Sequence, residues 1–171
     1  MAAMADPREL FVHELGDILY AEKTIEKMLP KLAKEVRDEE LQQRLEQHVE
    51  ETRQQIRNLE QVFEAIGEKA KAEPCPGIDG IKEEHDHFLE SEQPSPEVRE
   101  LFATGAGARI EHYEIAAYTG LVESAKAMGE KDAAALLQEN LKGEQEMLKD
   151  GVRIARRLKK ASAKAMAKAS A

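Results

Sequence analysis

Four glutamates sit where a helical protein would normally place leucine. Along the first apolar stripe, Phe11, Leu15, Ile18, Ile25, Leu29, Leu32 and Val36 follow steps of three and four, interrupted only by Glu22. A later stripe of Ala134, Leu137, Leu141, Leu148, Gly151, Ala155 and Leu158 is broken in the same way by Glu144. Glu114 lies among Gly107, Ile110, Ala117, Leu121 and Ser124, with Glu111 one turn back and slightly rotated. A fourth stripe holds Leu41 and Leu45, turns polar at His48, Glu51, Thr52 and Gln55, and becomes apolar again at Leu59, Val62 and Ile66.

An ionised carboxylate buried alone costs several kcal/mol even after the protein relaxes. Four at one level would also repel one another unless cations neutralise them. Two divalent ions would do so, and iron or manganese accepts carboxylate oxygen together with imidazole nitrogen. Glu22, Glu51, Glu114 and Glu144 are therefore the candidate ligands, with Glu111 and His48 as auxiliary ones. The spacing supports a shared level: 29 residues separate Glu22 from Glu51, and 30 separate Glu114 from Glu144.

The elements that must carry these residues can be read from their ends. Asp6, followed by Pro7 and Glu9, starts a helix that runs to about Val36, with a bend expected at Pro30. Asp38 caps a second helix from Glu39 to Ile66, stopped by Gly67. After Glu73-Pro74-Cys75-Pro76-Gly77 comes a short helical piece from Ile78 to Glu90. Ser95-Pro96-Glu97 opens a third long helix to Met128, and a fourth runs from Lys131 to Lys160. Short links make each long pair an antiparallel hairpin, and the long middle connection joins the two hairpins. The expected fold is all-α: a ferritin-like up-down four-helix bundle with a long crossover and a short extra helix. One domain is expected over residues 6–160, followed by a low-complexity Ala/Lys tail, frayed or disordered, at 161–171.

Several strings carry a family resemblance: Tyr20-Ala21-Glu22-Lys23, His48-Val49-Glu50-Glu51-Thr52 and Arg109-Ile110-Glu111-His112-Tyr113-Glu114-Ile115-Ala116. They resemble the YciE/YciF-like stress proteins, a branch of the ferritin-like superfamily, over residues 9 to 158. The resemblance implies a bacterial cytoplasmic protein of the stress response, with a fold suited to iron or manganese, and it suggests a homodimer. The general ferritin-like pattern has Glu-x-x-His on its second and fourth helices. Here Gln54 and Met147 stand three residues after Glu51 and Glu144, and His48 stands three residues before Glu51.

Composition narrows the alternatives. The 34 acidic against 25 basic residues give a net charge of -9, which repels nucleic acid and anionic membrane. No apolar run approaches the roughly 20 residues of a membrane span, and a cytoplasmic location is expected. The single cysteine, Cys75, allows no intrachain disulfide, and its place between two prolines reads as structural. His85 and His87 read as part of a solvated charged helix, and His112 as a surface residue. Tyr20, Tyr113 and Tyr118 read as core residues with bonded hydroxyls. The expected function is a carboxylate-bridged di-iron or dimanganese centre acting on dioxygen, peroxide or ferrous ion. The alternative is a non-catalytic binding or scaffold bundle with a weak or empty site.

Overall fold

Side-chain caps start the helices where the sequence places them. Asp6 accepts from the Arg8 backbone N–H at 2.8 Å and Asp38 from that of Leu41 at 3.0 Å. The Ser95 hydroxyl does the same for Val98 at 3.3 Å, and the Cys75 sulfur for Ile78 at 3.5 Å. The structure is a computed structural model and describes residues 4–169. It contains α1 (Pro7–Glu35), α2 (Glu39–Ala65), α3 (Pro76–Glu92), α4 (Pro96–Ala127) and α5 (Lys131–Ala169). Among the described residues there is no strand.

Two hairpins pack side by side, α1 with α2 and α4 with α5. They meet along α1–α4 and α2–α5, which closes a four-helix square, while α3 lies outside against α4 and α1. Gly67 and Gly129 end α2 and α4 with φ of 76° and 79°, a backbone that side-chain-bearing residues adopt at a cost. The apolar stripe of α1 is buried throughout, from Phe11 to Val36, and Glu22 is buried with it.

Pro30 lies inside α1, which continues to Glu35 as expected. Two expectations change. The stretch expected to fray after Lys160 is helical to Ala169, consistent with an alanine-rich sequence of high helix propensity. On α5 the buried face drifts: beyond Glu144 it is Met147 and Ile154 that are buried, while Leu148, Gly151 and Ala155 are only partly covered. The buried residues Ala133, Leu137, Asn140, Glu144, Met147 and Ile154 still keep steps of three, four and seven, in a register set by packing against α4 and α2.

α3 is longer than the expected piece and docks more firmly. His85 is buried, not solvated, with its ring 6.0 Å from that of Phe102 and Nε2 3.6 Å from Glu35. His87 and His112 are exposed. Cys75 is fully buried, with its sulfur 2.9 Å from the Tyr113 hydroxyl, which in turn donates to Asp17 at 2.7 Å. Burial pushes the Cys75 thiol pKa up, so it stays protonated and serves as a structural contact between crossover and bundle. Tyr20 bonds outward to Asp79 at 3.1 Å.

Candidate metal centre

Each wall of the square contributes polar groups at its middle. α1 supplies Glu22, α2 supplies His48, Thr52 and Gln55, α4 supplies Glu111, Glu114 and Tyr118, and α5 supplies Asn140 and Glu144. All of these are buried. Glu111 and Glu114 share the α4 face because residues three apart lie one above the other on a helix.

One ligand atom each from His48, Glu111, Glu114 and Glu144 lies within 4.8 Å of the other three. Among the described residues this is the group of histidine and carboxylate side chains drawn together so closely. Glu22 is on the same level and feels the others electrostatically, but its Oε1 is engaged by the Tyr118 hydroxyl. Asn140 donates to that hydroxyl at 3.1 Å, and Asn58 donates to Asn140 at 2.8 Å. This chain of amides fixes Tyr118, so the hydroxyl donates towards Glu22.

Glu51 departs from its expected place. It is half-buried on the outer side of α2, where Arg44 bonds it at 2.8 Å and His48 Nδ1 approaches to 3.3 Å. These contacts, with His48 foremost, hold its pKa down to about 2. The residue of α2 that faces Glu144 is Gln55, one turn further on, whose amide Nε2 donates to Glu144 Oε1. Gln55, Asn140 and Tyr118 are the site residues that the spacing of acids did not single out. Gln55 follows Glu51 by four and Asn140 precedes Glu144 by four, so helical periodicity does place each near the stripe.

The centre is short of hydrogen-bond donors. Glu22 Oε2, Glu111 Oε2, Glu144 Oε2 and both oxygens of Glu114 are buried without a hydrogen-bond partner, as are His48 Nε2 and Gln55 Oε1. Buried polar atoms are otherwise almost always paired. Burial pushes the Glu22 pKa up to about 8. Burial, with the charges of Glu22 and Glu111, raises Glu114, and burial raises Glu144 likewise, with repulsion from Glu114 next and then from Glu22. For His48, burial opposes the charge, but Glu111, 3.4 Å from Nε2, and Glu51 outweigh it and raise its pKa to about 9. Carboxylate oxygens short of donors, gathered with an imidazole within 4.8 Å of one another, form a donor set suited to a divalent cation.

The bundle with one crossover, and its central ring of acids and histidine, place the chain in the ferritin-like class of helical proteins. The chain belongs to the family described as domain of unknown function DUF892, which matches residues 6–164. It is 36% identical over 137 residues to Protein YciF of Escherichia coli strain K12, covering 80% of this chain and 82% of that one. The crystal structure of the E. coli stress protein YciF superposes with a TM-score of 0.85 at 35% identity, over 91% of this chain and 98% of that chain. YcfI from Rhodopseudomonas palustris gives 0.83 at 35% identity, over 86% of this chain and 93% of its own. No helix among the described residues is long and apolar enough to cross a membrane.

Proposed function

We propose that this chain is a cytoplasmic ferritin-like stress protein that holds two divalent iron or manganese ions and uses them to oxidise ferrous ion or remove peroxide. The observation that carries the reading is the set of buried, unpaired oxygens on Glu22, Glu111, Glu114 and Glu144, together with the buried Nε2 of His48, which meets Glu111 at 3.4 Å. Among the described residues these are the buried carboxylates. With His48 neutral, their four negative charges match two divalent cations. His48, Glu111, Glu114 and Glu144 would hold one ion, and Glu22 would add a donor for the second. Bound iron or manganese supplies one-electron redox chemistry towards oxygen and peroxide. The chain's own part is to exclude water with the apolar layers above and below, and to hold Glu22 through Tyr118. Glu51, expected as a ligand, acts in this reading from outside by orienting the His48 ring.

Purification without chelator should give iron or manganese in near-stoichiometric amount, and crystals soaked in manganous salt should show anomalous peaks among these side chains. A Glu114→Ala, Glu144→Ala double variant should lose both the metal and any ferrous oxidation above the buffer rate. If wild type binds no metal, the second reading takes over, a structural bundle. The observation in its favour is that Gln55 and Tyr118 already bond two of the carboxylates without any ion. A homodimer belongs to the proposal too. Leu10, Phe11, Ala117, Gly120, Leu121 and Met128 line an apolar groove of about 330 Å³ between α1 and α4, a surface that a twofold mate would cover. Light scattering should give twice the monomer mass.

A further inference from the structure

α2 and α5 leave a second groove between them, of about 350 Å³, whose walls include Arg44, Glu51, Gln55, Asn140, Gly143 and Asp150. Its rim also carries Glu139, Glu146 and Lys142, so four carboxylates face two cationic side chains. Arg44 lies nearly buried across this rim, bonded to Glu51 of α2 at 2.8 Å and to Asp150 of α5 at 3.2 Å. Gln55 lines the groove and reaches the metal cluster as well. It is 5% exposed, its Nε2 is bonded to Glu144, and its Oε1 is buried without a partner. The Gln55 amide thus links the groove directly to Glu144.

Gly143 keeps the space beside that amide open. A Cβ added there would stand 3.3 Å from Gln55 Nε2, closer than ordinary contact, and a larger side chain would fill the gap. Glycine inside a helix costs about 1 kcal/mol relative to alanine, so α5 carries this residue at the expense of its own stability. The other cavity that touches the cluster, beside His48 and Glu111, is about 30 Å³ and is lined mostly by Met28, Leu29, Leu45 and Ile110. A cation entering there would shed its water among apolar side chains, with Glu111 the one carboxylate in the lining, which is strongly unfavourable.

We infer that the α2–α5 groove is a divalent-cation transit site, in which Glu51 and Asp150 exchange Arg44 for an ion that Gln55 Oε1 then passes beneath Gly143 to Glu144. Every step replaces lost water with protein oxygen, from carboxylate to amide to carboxylate. The site rests on the metal reading above and gives Glu51 a role from the position it occupies.

Rapid mixing of the metal-free full chain with manganous chloride, following the loss of the free-ion paramagnetic resonance signal, tests it. Gly143→Val should slow uptake at least about tenfold, equivalent to about 1.4 kcal/mol of added barrier, with final occupancy and helical content unchanged. The milder Gly143→Ala should lie between, and the Glu51→Gln, Asp150→Asn double variant should slow uptake most at low salt. Wild-type binding at equilibrium with unchanged rates in Gly143→Val and Gly143→Ala overturns the transit site alone. No manganese bound by wild type at equilibrium removes the metal reading and the transit site with it.

Discussion

Gln55 of α2 donates its side-chain amide to Glu144 of α5 across the core, while Glu51, one turn earlier, turns outward to Arg44. The bundle therefore presents a neutral side chain from α2 at the level where its other three helices present carboxylates. A neutral amide lowers the repulsion in the metal-free protein, because it bonds one acid without adding a charge. It also leaves the centre with His48 as the main donor from α2.

Gln55→Glu should shift that balance. The variant adds a fifth buried carboxylate beside Glu144, which should destabilise the metal-free protein by about 3 kcal/mol through desolvation and repulsion. With manganous or ferrous ion present, the new oxygens become ligands and affinity should rise. Urea unfolding with chelator and with metal, alongside calorimetric titration, measures both. Weaker binding in the variant would show that Gln55 itself is the better donor.

The pH dependence of the metal-free protein should run downhill from acid to alkali. Glu22 titrates at about 8 in the folded state, and Glu114 and Glu144 are raised as well, against about 4.3 when unfolded. Between these values the folded chain binds more protons, so stability falls as pH rises. His48 adds to the same trend, since its folded value of about 9 exceeds the ordinary 6.5 and its contribution is lost as pH climbs through 9. Glu51, held down to about 2, loses its contribution only in strong acid, outside this window. The melting temperature in chelator should drop by about 5 °C or more between pH 5 and 8.5. Saturating metal should flatten the slope, and a flat profile in chelator would count against unpaired buried acids.

Tyr118→Phe isolates the hydroxyl that holds Glu22. Removing it strips Glu22 Oε1 of its donor and leaves Asn140 without one of its acceptors, in a fully buried place. The expected loss is about 2 kcal/mol of stability in the metal-free protein. Metal should still bind, because Tyr118 acts on Glu22 and is not one of the donors; a complete loss of binding would make it a ligand.

The sequence made the bundle legible because its periodic stripes are long and each ends at a recognisable cap or glycine. Glu22, Glu114 and Glu144 stood out since a charge in an otherwise apolar stripe conflicts with burial. Gln55 and Asn140 did not, because a neutral amide beside polar neighbours carries no such conflict. Glu51 was misplaced for a related reason: α2 is polar over two full turns, and only packing against α5 decides which polar residue faces inward. His85 depends on tertiary docking too, since its burial comes from α3 settling against Glu35 of α1 and Phe102 of α4. Helix continuation to Ala169 follows local propensity, which a low-complexity reading sets aside.

Glu114 gives the sharpest division between a metal ligand and a structural acid. It is 1% exposed, and neither of its oxygens has a hydrogen-bond partner, so in the absence of metal it contributes desolvation and repulsion and receives no bond in return. Glu114→Leu keeps a similar volume and removes that penalty. The metal-free variant should therefore be more stable than metal-free wild type by about 1–4 kcal/mol, as when buried ionic groups are replaced by apolar ones. In metal the order should reverse, because wild type gains binding free energy that the variant cannot. Paired urea denaturation curves with chelator and with manganous ion decide the matter. A structural acid predicts the opposite first result, a loss of about 3–5 kcal/mol in chelator from the partner charge left unpaired, and no change of order on adding metal.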